Sequence, residues 1–429
     1  MSLDRKIAPD IKEPIDFKIS LPLVQKATLK NGVDVYYLDM GTEEAVQISW
    51  MFYAGSWNED KKSQAGATNF MLKNGTSEKS AFEINEFFEY YGAYLNRTCY
   101  TETADLTLHT LNKHVSVLLP EVSKLIMDSV FPEDELALFK QNSLQRLKVN
   151  LTKSDFVAGR LIDALIYGEE HPYGRYNNAE DYTALTREDL VQFYEKHYKQ
   201  GYCAIFLAGK LPKGILEELD LHFGSLPFKN HKGYKASRIF KPTPAEQKKH
   251  WIVNDEKGVQ AAIRIARPFP DRSNPDFQPA LLLNTLFGGF FGSRLMANIR
   301  EEKGYTYGIY SYIQNHLGET AWMVSTEAGR DVAEATIEEV YKEMKLLCEE
   351  PVDDEELLTT KNYMIGSILG DLDGAFQIMA RWRNLLLNNL DEQYFYTSLQ
   401  TIKTASPEYL MELANKYLKP EAFHELVVI

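Results

Sequence analysis

The chain is poor in cysteine and lacks any long apolar run, and each absence excludes something. Cys99, Cys203 and Cys348 are the only three cysteines in 429 residues, and they lie far apart. They form no C-x-x-C pair and cannot build the disulfide framework of a small secreted scaffold. No stretch of about 18 consecutive apolar residues exists, so no transmembrane helix is expected. Met1 to Lys18 mixes charge with proline and has no apolar signal-peptide core, which makes a cytoplasmic protein the default expectation. Positive charge is also scarce: 47 Lys and Arg face 61 Asp and Glu, a net charge of −14. Such a surface repels the phosphates of nucleic acid and serves solubility instead.

Familiar catalytic signals are missing too. Nine histidines are present, but no two stand three or four apart, the spacing that aims two ring nitrogens at one metal ion from a helix. His171 follows Glu170, yet an H-x-x-E-H pattern there would need histidine where Tyr167 stands. His424-Glu425 begins an H-E-x-x-H pattern that fails at Val428. There is no G-x-S-x-G elbow and no phosphate loop ending in G-K-[ST].

What is there is an ordinary globular composition, 44% hydrophobic and 25% charged, in a chain too long for one core. Two domains are the expectation, and the sequence repeats itself in that sense. Thr186-Arg-Glu-Asp189 opens an amphipathic helix carrying Leu190, Phe193, Tyr194 and His197, followed by the apolar strand Tyr202 to Gly209. Ser406-Pro407-Glu408 opens another, carrying Leu410, Leu413 and Tyr417, followed by the strand Leu426 to Ile429. The strand from Val46-Gln47 to Gly55 is echoed from Val259-Gln260 to Pro268. The helix Phe82 to Tyr91, closed by Gly92, is echoed by Arg294 to Lys303, closed by Gly304. These pairs keep nearly one separation, so two duplicated domains are expected at 1–226 and 250–429. Residues 227–249, rich in lysine and holding Pro242 and Pro244, read as an exposed linker. Strands of period two alternating with amphipathic helices predict an α+β fold. Each half should be a mostly antiparallel sheet with helices packed on one face.

One segment stands out. Gly288-Gly-Phe-Phe-Gly292 is a glycine-rich turn, Ser293-Arg-Leu continues it, and the helix to Lys303 stops at Gly304. Tyr305 to Ser311 then alternates like a strand. Arg300 in the last helical turn and Tyr307 early in the strand are expected to converge, and a guanidinium with a phenol can hold a peptide carbonyl or an oxyanion.

The run Gly-Gly-x-x-Gly-Ser-Arg-Leu followed by Arg-Glu-Glu-Lys-Gly-x-x-Tyr resembles the C-terminal half of the M16 (pitrilysin and insulin-degrading enzyme) zinc peptidases. It is most similar to the M16B branch. Leu29-Lys-Asn-Gly-Val33, Ala54-Gly-Ser56, Gly75-Thr76, Ser80-Ala-Phe-Glu83, Gly92-Ala-Tyr-Leu-Asn96 and His171-Pro-Tyr-Gly-Arg175 follow the family's order in the N-terminal half. The resemblance implies the paired-domain architecture of the mitochondrial-processing-peptidase type of metallohydrolase. Active members carry H-x-x-E-H before the Gly-Thr. Here that stretch reads Gly66-Ala-Thr-Asn-Phe-Met-Leu-Lys-Asn-Gly75, without histidine or glutamate and seemingly about three residues short. No Asp, Glu or His lies between Glu135 and Asp155, where the third ligand is expected.

No metal or cofactor is therefore expected in this chain. The resemblance implies a catalytically incomplete subunit that pairs with an M16 subunit holding zinc on an intact H-x-x-E-H. Arg300 and Tyr307 would then contact unfolded peptide substrate across the chamber, with Gly288, Gly289 and Gly292 lining it. The family also offers a structural core subunit without peptidase work, or a peptide-binding shell. Asn69 and Lys73 are read as plain surface residues, and Glu59, Glu83 and Glu102 as solvated or structural ones.

Overall fold

A computed structural model describes residues 12–429. The expectation for Met1 to Lys18 therefore falls mostly outside the described residues. In the first half, β1 (Gln25–Thr28), β2 (Asp34–Asp39), β3 (Ala45–Phe52), β4 (Tyr94–Cys99), β5 (Ala104–Leu111) and β6 (Tyr202–Gly209) form a sheet. Its order is β1-β2-β6-β3-β5-β4, with the two-residue β7 (Lys229–Asn230) beside β6. The β2–β6 and β6–β7 pairs are parallel and the others antiparallel. The helices of this half are α1 (Gln64–Met71), α2 (Ala81–Tyr90), α3 (Val115–Met127), α4 (Glu133–Asn150), α5 (Ser154–Tyr167), α6 (Ala179–Ala184), α7 (Arg187–Tyr194) and α8 (Ile215–Phe223). The capping box expected at Thr186 is formed: its side chain accepts from Asp189 N while Asp189 accepts from Thr186 N.

The second half repeats the plan. β8 (Lys249–Ile252), β9 (Gln260–Phe269), β10 (Thr306–Asn315), β11 (Thr320–Gly329) and β12 (His424–Val428) run in the order β10-β11-β9-β12-β8. Substituting β8, β12, β9, β11 and β10 for β2, β6, β3, β5 and β4 reproduces that five-strand part of the first sheet, the parallel pair β8–β12 matching β2–β6. Its helices are α9 (Phe277–Asn284), α10 (Ala333–Glu349), α11 (Asp354–Gly370), α12 (Ala375–Leu387), α13 (Glu392–Thr404) and α14 (Pro407–Tyr417).

Alternation along the strands sends Ile48, Trp50, Leu106 and Ile205 to one face, where they pack with Leu118, Leu125, Phe193 and Leu219 from helices of the same half. The opposite face presents Tyr36, Met51 and Phe206, and these are covered by Ile378, Met379 and Trp382 of α12, from the other half. The exchange is mutual. Ala262, Ala266, Met323 and Leu426 on the second sheet are covered by Val157, Ile162 and Ile166 of α5. Each sheet thus has its own helices on one face and a borrowed helix on the other. Residues 227–249 do not hang free, because their aromatic side chains find partners on the first half. Tyr234 stacks on Tyr53 at 3.8 Å, and Phe240 meets Trp57 edge-on at 5.2 Å.

Candidate functional site

The segment from Arg294 is helical, with π-type turns over Met296–Glu302. Gly304 ends it at φ +67°, a left-handed conformation that glycine takes without strain. The chain then enters β10, which bulges against β11 between Thr306 and Ile309. Two hydroxyls fix the bulge: Thr306 Oγ1 donates to Gly308 O at 3.0 Å, and Thr326 Oγ1 donates to the same oxygen at 2.9 Å. A bulge re-aims a strand side chain, and Tyr307, inside it, is 91% exposed. The guanidinium carbon of Arg300 lies 4.6 Å from the Phe291 ring and 5.7 Å from the Tyr307 ring. Its one acidic neighbour among the described residues is Glu301 at 3.7 Å. Arg300 and Tyr307 are thus brought together at the surface, the guanidinium held between two aromatic faces with most of its donors uncommitted.

The three glycines differ in setting, and the expected turn is partly helical: Gly288 and Gly289 close the π-helical turn Thr285–Gly289 that continues α9. Gly288 is buried: a Cβ there would lie 2.7 Å from Ser311 Cβ and 2.8 Å from Leu295 Cδ1. Its lack of a side chain lets the loop press onto β10, so Gly288 does not itself offer a surface to a ligand. Gly289 is half-buried and Gly292 is exposed; a Cβ on Gly292 would meet the Phe290 ring at 2.8 Å.

In the first half, α1 faces a cavity of about 530 Å³ bounded also by β4 and α4. On that face Gly66, Asn69 and Phe70 stand at i, i+3 and i+4, the spacing H-x-x-E-H would take. None of the three is His, Glu, Asp or Cys. Ser143 and Arg146 come from α4, Lys73 follows α1, and Arg97 projects from β4. A zinc ion needs thiolate, imidazole or carboxylate ligands. One thiol, Cys99, lies in the lining, but the glycine, amide, phenyl, two guanidinium groups and ammonium around it do not complete such a set. Among the described residues no three His, Cys, Asp or Glu side chains are grouped to hold a metal.

Asn69 is a residue that sequence reasoning undervalued. It is buried, and its Nδ2 donates to Tyr198 Oη at 3.1 Å and to Asp105 O at 3.3 Å. Position i+3 of the displaced motif was the available signal. The glutamates are structural. Glu59 accepts from Ala65 N at the start of α1 and pairs with Arg175 at 3.0 Å, and burial pushes its carboxyl up to about 7. Glu83 closes the capping box of α2. Glu102 accepts from Tyr173 Oη and, across the halves, from Leu317 N at 3.3 Å. Among the described residues no helix is long and apolar enough to cross a membrane.

Residues 184–364 match the family described as the Peptidase M16 inactive domain. The chain is 24% identical to the uncharacterized zinc protease YmxG of Bacillus subtilis over 84% of its own length and 87% of the relative's. It is 23% identical to the mitochondrial-processing peptidase subunit beta of Mus musculus over 91% of its length and 83% of that protein's. The crystal structure of a peptidase M16 inactive domain from Pseudomonas fluorescens superposes with a TM-score of 0.84 at 23% identity, covering 94% of this chain and 98% of the other.

Proposed function

The chain is a member of the M16 peptidase family, and from that premise we propose that it is the catalytically incomplete subunit of a heterodimeric M16B zinc metallopeptidase of the cytoplasm. The zinc and its general base sit on a partner subunit with an intact H-x-x-E-H. This chain grips unfolded peptide for that partner. The observation that carries the proposal is Tyr307: a phenol 91% exposed, set by a bulge beside Arg300, with no acceptor in its own chain among the described hydrogen bonds. A tyrosine kept for packing is buried; this one offers its hydroxyl outward.

In this arrangement Tyr307 donates to the scissile carbonyl oxygen as negative charge develops, and Arg300 holds backbone carbonyls of the peptide. Phe291 limits the positions the guanidinium can take. Gly289 and Gly292 leave room for the passing chain. The test is turnover of the reconstituted pair with Arg300→Ala or Tyr307→Phe, assembly being followed by size-exclusion chromatography. Loss of one oxyanion donor is expected to cost on the order of 100- to 1000-fold in kcat. Intact assembly with unchanged turnover in both variants overturns the role.

A further inference from the structure

The cavity beside α1 holds a second, unassigned feature. Its wall carries three cationic side chains, Lys73, Arg97 and Arg146, and no aspartate or glutamate. None of the three is in a salt bridge among the described residues, although the protein as a whole has a net charge of −14. Glu89 of α2 acts on Lys73 without forming an ion pair, and two other carboxylates are turned elsewhere. Asp105 binds Arg383 at 2.6 Å, and Glu135 accepts from Asn74 at 2.7 Å. Arg97 is anchored rather than neutralised: it donates to Phe70 O and, at 3.1 Å, to Asn74 Oδ1, with its guanidinium 4.8 Å from the Phe70 ring. Burial lowers both Arg97, to about 10, and Lys73; the neighbouring Arg97 charge lowers Lys73 further, and Glu89 offsets this only in part.

Unpaired cations around a partly desolvated cavity are costly unless an anion visits them. The surroundings indicate its carrier. Among the described residues β4 pairs with β5 alone, so it is an unpaired edge of the sheet, and its residues 94–97 form one wall of the cavity. An extended chain can pair with such an edge while placing one of its side groups in the adjoining pocket. We propose that this cavity binds the carboxylate of an extended peptide through Lys73, Arg97 and Arg146. The carboxylate belongs either to an acidic side chain or to the peptide's C-terminus. This deepens the peptide-handling role, and rests on it only for the choice of a peptide as carrier.

The test is calorimetric titration of the intact chain at low ionic strength with an extended peptide bearing one internal glutamate and a free C-terminus. Its Glu→Gln form and its C-terminal amide are titrated in parallel. Binding is expected to weaken about tenfold or more when the responsible carboxylate is neutralised, the affected arm identifying the source. It should weaken similarly in Lys73→Gln and Arg146→Gln, neither of which removes a described hydrogen bond. Arg97→Gln is added with its melting curve, since Arg97 also ties α1 to β4. Binding that ignores both the peptide's charge and the variants overturns the carboxylate site while leaving peptide handling intact. Absence of peptide binding, alongside turnover in the reconstituted pair that depends on Tyr307, also overturns the site alone. Silence of the reconstituted pair is what defeats the wider reading.

Discussion

Gly288 shows how much one missing side chain can fix. The loop before Arg294 lies against β10 because nothing projects from Gly288 toward Ser311, whose hydroxyl donates to Asn284 Oδ1 at 2.7 Å and accepts from Trp322 Nε1 at 2.8 Å. Gly288→Ala should therefore destabilise the chain by about 1–3 kcal/mol, the cost of overpacking, read from urea unfolding. Gly289→Ala, whose nearest neighbour would be 3.3 Å away, should cost clearly less. In the sequence the two glycines look alike. Their difference depends on a strand twenty residues away in the chain, which local pattern does not report.

His316 belongs to the same scale. Its ring stacks on Tyr173 at 3.9 Å across the two halves, and burial pushes it down to about 4. A depressed histidine stays neutral in the folded chain while the unfolded chain protonates near the ordinary value of about 6.5. Its contribution is thus complete above that value and is lost as pH falls from about 6.5 toward 4. His316→Gln should reduce the loss of unfolding free energy between pH 7 and 5 by roughly 1–2 kcal/mol. An unchanged slope would show that other groups, such as His197 and His424, dominate that window.

Among the elements, α12 and α5 do the joining. α12 brings Trp382 to the first sheet, where its Nε1 donates to Pro22 O at 2.7 Å, and Arg383 to the buried Asp105. Trp382→Ala should cost about 3–5 kcal/mol, measured by denaturant titration, because it opens a cavity between the halves. The helices at Thr186 and Ser406 and the strands following them were legible in the sequence, since caps and periodicity are local. The borrowed packing was not. α5 and α12 show apolar faces, but periodicity states that a face is buried without naming the sheet that buries it. The segment 227–249 is mostly exposed, yet it is tied to the first half. Lysine and proline dominate its composition, while two aromatic rings, Tyr234 and Phe240, decide its path.

At the scale of the whole molecule, the duplication gives two equivalent corners, each next to an open sheet edge, β4 or β10. One corner displays Arg300 and an outward Tyr307; the other displays α1 with Gly66, Asn69 and Phe70 where a zinc-binding helix would place its donors. Convergence of Arg300 and Tyr307, seven residues apart, followed from the helix stop and strand start that lie between them. The cationic cavity did not, because Lys73, Arg97 and Arg146 come from three elements with no common motif. The proposed function predicts a division of labour between two proteins. The decisive measurement is peptidase activity, with zinc content, for this chain alone, for an M16 protein with intact H-x-x-E-H, and for the two mixed. Activity confined to the mixture, with about one zinc per pair held by the partner, is the expected result. Zinc-dependent activity of this chain alone would contradict the account.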